Sequence, residues 1–153
     1  PILLSRQHSA RKNRNKSAHE KSERDKLISS LKRKTVSSIV TFTNNVCRYL
    51  DDRDVVLTAS MADGKIIFCI TPKYREDKEI VKNCIENYIV CLSDPPVLSV
   101  ISKNLTSDKE IALSACKKDI RNYDYIGENL KEDKDVLCEC KKQNYLSEGK
   151  IND

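Results

Sequence analysis

Apolar residues are spread unevenly along the chain. Ile2, Leu3 and Leu4 form a short cluster, and then Ser5 to Asp25 holds no apolar residue beyond Ala10 and Ala18. Such a stretch buries too little surface to offset its chain entropy, so residues 1–34 are expected to form an extended arm. The pattern then changes. Val55, Val56 and Ala59, and likewise Ile111, Ala115 and Cys116, fall on one face at helical spacing. Ile120, Tyr123, Ile126 and Leu130 continue near the same period and predict a second helix. Residues 35–153 are therefore expected to form a helical domain.

The helical pattern repeats. Asp52-Arg-Asp-Val-Val, Asp77-Lys-Glu-Ile-Val, Asp108-Lys-Glu-Ile-Ala and Asp133-Lys-Asp-Val-Leu share one frame: Asp, base, acid, β-branched apolar residue. Units fall near 52–77, 77–108, 108–133 and 133–150, with a weaker start at Asp25-Lys-Leu-Ile. The longer second unit carries its extra residues around Ser93-Asp94-Pro95-Pro96, where two prolines break any helix. Asp52, Asp77, Asp108 and Asp133 are good N-caps, because a carboxylate accepts the orphan N–H groups of a first turn. The acid two residues later suits the positive helix end. Asp63-Gly64 supplies a turn in the first unit, with Gly free to take positive φ. Each unit thus reads as a short helical hairpin whose apolar stripe needs its neighbours, so the hairpins stack as a small solenoid.

Val55–Ser60 and Lys65–Thr71 across Asp63-Gly64 also read locally as a β-hairpin. The third unit has the same frame but carries Ala-Leu-Ser-Ala-Cys-Lys-Lys, which favours helix. Equivalent units share a structure, so the expected class is all-α.

The frame resembles a tandem helical-repeat family known only as domain of unknown function 4116. Its units run Asp-x-Glu-Val-Val-x-x-Ala, a turn Gly, an apolar second helix and Leu-x-x-Asp. Here Asp52–Asp77 supplies the opening, Gly64 and Tyr74-Arg-Glu-Asp, and Asp108–Asp133 supplies the opening and Leu130-Lys-Glu-Asp. The resemblance covers about residues 50–146, with Ile120 in place of the turn Gly and the Pro-Pro insertion as departures. It implies a helical repeat fold and brings no activity and no binding residues.

Charge divides the chain in two. Residues 1–34 hold eleven Lys or Arg and three acids, whereas residues 35–153 are net acidic; the whole chain is +5. Ile2, Leu3, Leu4, Arg6, Arg11, Lys12, Arg14, Lys16, Lys21 and Arg24 are the candidate partner-binding residues, apolar anchor first and cations after it. A basic arm of this kind seeks an acidic protein surface or a phosphate backbone. It carries no aromatic residue for base stacking, so any nucleic-acid binding would ignore sequence.

The remaining chemistry is sparse. The seven cysteines are an odd number, only Cys138-x-Cys140 is a close pair, and His8 and His19 both lie in the arm. Buried, reduced thiols are expected rather than disulfides, a zinc site or a Cys–His nucleophile. No phosphate loop or carboxylate pair stands out, so no catalytic residue, metal, cofactor or small-molecule substrate is expected. No apolar run is long enough to span a membrane. The start shows no secretory leader, so a reducing intracellular compartment or a virion is the expected location. These features suit a non-enzymatic component of a large assembly, most specifically a minor capsid or virion-type protein. A sequence-nonspecific nucleic-acid or ribonucleoprotein component is the alternative.

Overall fold

The computed structural model describes residues 2–33 and 46–148, with side chains over 17–33 and 46–142; the rest lies outside the described residues. Six α-helices are described: α1 Ile2–Lys32, α2 Arg53–Ala62, α3 Lys78–Asn87, α4 Lys103–Thr106, α5 Lys109–Lys118 and α6 Lys134–Glu148. Short 3₁₀ helices link them, and there is no strand among the described residues. The fold is all-helical.

The extended arm is corrected. Residues 2–32 form one helix, which at 1.5 Å per residue is about 46 Å long. Scarce apolar residues argue against burial of the arm but not against helix. Leu31 is buried in the core, with Leu27 and Ile28 packed against it. That end supplies the costly nucleus, and each further residue then adds to the helix at little cost. Residues 2–33 contain no Gly or Pro to stop it.

The body repeats with a shared local logic. Oδ1 of Asp52 accepts the Asp54 and Val55 N–H groups at 3.0 and 3.2 Å. Asp77, Asp108 and Asp133 do the same for the residues two and three positions on, at 3.0–3.3 Å. At the far end, Asp63 and Asp119 are extended, and each donates its N–H to Ala59 or Ala115. Their carboxylates then accept the Lys65 and Arg121 N–H groups, so one side chain closes an α-helix and opens the next turn.

That next turn is not the second α-helix expected. Gly64–Phe68 and Ile120–Tyr125 are 3₁₀ helices, followed by further single 3₁₀ turns at Pro72–Arg75 and Glu128–Leu130. The apolar positions still point inward: Ile66, Ile67, Ile126 and Leu130 are buried. Ile120, Tyr123 and Ile126 recur every three residues, which matches three residues per 3₁₀ turn. Gly64 is also corrected. Its φ lies outside the left-handed region, and a Cβ there would come 2.1 Å from the Cys84 carbonyl oxygen. The residue is small because α3 passes against it, not because the turn needs positive φ.

The helices pack in chain order. α1 lies against α2, α2 against α3, α3 against α5, and α5 against α6. Third, fourth, seventh and eighth residues after the capping Asp are buried in each of the first three units: Val55, Val56, Ala59 and Ser60; Ile80, Val81, Cys84 and Ile85; Ile111, Ala112, Ala115 and Cys116.

Candidate interaction surfaces

The repeated base of the Asp-base-acid frame reaches forward to the next unit. Arg53 donates to Asp77 at 2.9 Å and to Glu79 at 2.8 Å. Lys78 meets Asp108 at 2.8 Å and Glu110 at 3.0 Å. Lys109 meets Asp133 at 2.9 Å and Asp135 at 2.6 Å. α1 enters the same ladder from upstream: Nη2 of Arg24 donates to Asp52 at 3.0 Å and to Asp54 at 2.7 Å, and Nε donates to Asp52 as well. Asp77, Asp108 and Asp133 thus serve their own helix through Oδ1 and the neighbour's cation through Oδ2, whereas Asp52 takes Arg24 on both oxygens.

The titration of these carboxylates follows. The Arg24 bond, against the opposing effect of burial, holds Asp52 below its ordinary range. Burial pushes Asp77 up, but its bonds to Arg53 and to the Ile80 and Glu79 N–H groups leave it lowered. Lys78 and Lys109 lower Asp108 and Asp133 in the same way.

Of the candidate arm residues, Ile2, Leu3, Leu4, Arg6, Arg11, Lys12, Arg14 and Lys16 lie in the first half of α1, and their side chains fall outside the described residues. Residues 17–23, Lys21 included, are exposed. Arg24 departs from the role expected of it. Its guanidinium is engaged on the body, because the helix turns it onto the acid pair of the first unit. This link between arm and repeats has no local signal in the sequence beyond Arg24 standing one residue before the weak Asp25 start.

Two surfaces escaped the sequence altogether. The second unit's insertion holds Ile89 and Leu92, 80% and 84% exposed. It is braced from below. Arg121 donates to the carbonyls of Cys91, Leu92 and Asp94 at 3.1–3.3 Å while chelating the Asp119 carboxylate. Asp94 accepts from Tyr88 at 3.0 Å and Lys65 at 2.9 Å. Asn122, buried, carries the adjoining turn by accepting the Leu98 N–H and donating to the Ala115 and Asp119 carbonyls. The second surface is a groove of about 420 Å³ beside α6, lined by Ile120, Tyr123, Asp124, Leu137, Cys140 and Lys141.

The cysteines are all free, and the expectation of burial holds for Cys84, Cys116 and Cys140 only; Cys47, Cys69 and Cys138 are exposed. Burial pushes the Cys84 and Cys116 thiols up to about 12, so both are inert packing groups. Among the described residues no group of His, Cys, Asp or Glu is placed to hold a metal ion. No helix among them is long and apolar enough to cross a membrane.

No curated protein and no solved structure matches the chain significantly. The family described as Domain of unknown function (DUF4116) matches three times in tandem, over residues 52–106, 89–131 and 108–147. Those matches begin on the capping Asp of the first unit, take in the ion-pair ladder and run to the end of α6, so the chain belongs to the DUF4116 family.

Proposed function

We propose that this chain is a non-enzymatic interaction component of a large assembly, its repeats stacked as a small solenoid and its basic N-terminal helix serving as the docking element. A minor capsid or virion-type protein is the specific form of this reading, by analogy with small proteins that fasten particle shells. One observation carries it. α1 is rooted in the body by Arg24 and Leu31, whereas residues 17–23 just upstream are exposed. A helix fixed at one end projects its cations in a set direction, which a solvated tail does not. The body adds rigid, exposed apolar side chains at Ile89 and Leu92, a kind of surface that proteins use for contact.

Sedimentation of native material tests this reading. The chain is expected to travel with large particles, to stay with them through nuclease treatment, and to be released when Ile2, Leu3 and Leu4 are changed to Ser. Migration at the chain's own size would refute it. Release by nuclease or by salt alone, with the Ser variants still bound, would favour the second reading, a sequence-blind nucleic-acid protein. That reading draws on Arg6, Arg11, Lys12, Arg14, Lys16 and Lys21 sharing one helix with no aromatic residue.

A further inference from the structure

The ladder leaves the two ends of the repeat array chemically complementary. At the downstream end, Lys134 occupies the position of Arg53, Lys78 and Lys109, yet no acid pair follows it among the described residues. Among the described residues, the same end is also open on the face that interior units cover. Val56, Val81 and Ala112 are buried at the fourth position after Asp, but Leu137 is only partly buried there and borders the 420 Å³ groove. At the upstream end stands an acid pair, Asp52 and Asp54, of the kind that elsewhere receives a preceding unit's base. α1 supplies Arg24 to that pair in place of a unit.

Among the described residues, α1 buries fewer apolar side chains than an interior helix. Among the described residues, Glu23, Lys26 and Leu27 of α1 and Arg48 and Tyr49 of the body line a hollow of about 370 Å³. Leu31 is the one fully buried apolar residue described on α1, where α2, α3 and α5 each bury three or four.

We propose that α1 is an intramolecular cap, and that its release lets the Asp52–Asp54 end of one chain take the Lys134 end of a second copy. α6 opens Asp133-Lys134-Asp135-Val136-Leu137, the register that α2 presents to α3. The incoming Lys134 bridges Asp52 and Asp54 as Arg53 bridges Asp77 and Glu79, and α2 of the second copy covers Leu137 and the groove. Donor and acceptor lie at opposite ends, so the contact is heterologous and continues from copy to copy. Lys141 lies where Ile85 and Cys116 lie in earlier units, and it borders the same groove. The inference rests on the chain's being an assembly component. Its assay uses purified chain alone, so its failure is distinct from failure of the particle experiment.

The test is sedimentation equilibrium of the full chain, its Arg24→Glu variant and the Arg24→Glu/Lys134→Glu double variant, with circular dichroism to confirm equal helix content. The wild type is expected to remain largely monomeric. Arg24→Glu, which repels α1 from Asp52 and Asp54, is expected to raise the weight-average mass about twofold or more with concentration. The double variant returns to monomer. Arg24→Gln, which removes the ion pairs without reversing the charge, replaces Arg24→Glu if the reversal costs helix content. A folded Arg24 variant that stays monomeric overturns the proposal. So does association that persists unchanged when Lys134 is reversed.

Discussion

At the scale of single residues, this molecule relies on short polar side chains that each do two jobs. Asp63 and Asp119 end one helix and start another. Asn122 does more: buried to 2% exposure, its side chain accepts the Leu98 N–H and donates to the Ala115 and Asp119 carbonyls, which also take backbone N–H groups. It occupies the place that Ile66 holds in the first unit, so the repeat tolerates either packing or hydrogen bonding there. Asn122→Ala is expected to leave the Leu98 N–H buried without a partner, while the Ala115 carbonyl keeps the Asp119 N–H. The cost is about 1–3 kcal/mol, measurable by urea unfolding at unchanged m-value. Asn122→Leu restores the volume but not the bonds, and is expected to recover only part of that loss.

At the scale of elements, the recurring unit is one Asp-capped α-helix of ten residues. α1 is held differently, by Arg24, Leu27, Ile28 and Leu31 at its C-terminal end. Amide exchange is expected to show this directly, with protection high over residues 27–32 and falling toward the N-terminus. Leu31→Ala, expected to cost about 2–5 kcal/mol locally, should abolish α1 protection and leave α3 and α5 unchanged. If α3 and α5 lost protection equally, α1 would be an integral part of the body.

Much of the element scale was legible beforehand. The capping aspartates and the insertion near Pro95 and Pro96 follow from spacing and local propensity. The second helices were misread because a three-residue recurrence at Ile120, Tyr123 and Ile126 lies close to the 3.6-residue period. The arm was misread because its helix is nucleated by burial of Leu31 in a core assembled from distant residues. The forward reach of Arg53, Lys78 and Lys109 was not legible, since a base between two acids reads equally well as a partner within its own unit. Of the candidate surfaces, exposure at Ile89 and Leu92 depends on the Arg121 brace, which no local pattern announces.

At the scale of the whole molecule, the ladder ties stability to pH. Asp52, Asp77, Asp108 and Asp133 all titrate below their ordinary values in the folded chain. A lowered folded pKa means the unfolded chain binds protons more readily, so the contribution is present above the unfolded carboxylate pKa of about 4. It is lost as pH falls through the folded values. Thermal midpoints are therefore expected to hold steady near neutrality and to fall steeply below about pH 4. Asp108→Asn, which keeps a capping oxygen but no charge, should flatten that fall. Salt should weaken the ladder modestly, because its pairs are partly exposed.

The forward link from each base to the following acid pair also bears on how such a chain can change length. A block cut from one capping Asp to the next carries an acid pair at its front and a base that meets whatever acid pair comes after. Copying the block Asp52–Glu76 in place would leave every link intact, since the copy's Arg53 would meet a second Asp52-Arg-Asp and the original would still meet Asp77 and Glu79. Duplication at the level of the gene therefore needs no compensating substitution to yield a longer array. The six additional residues of the second unit show the complementary freedom: they are accommodated in the braced loop while the ladder runs past them from Lys78 to Asp108 unbroken.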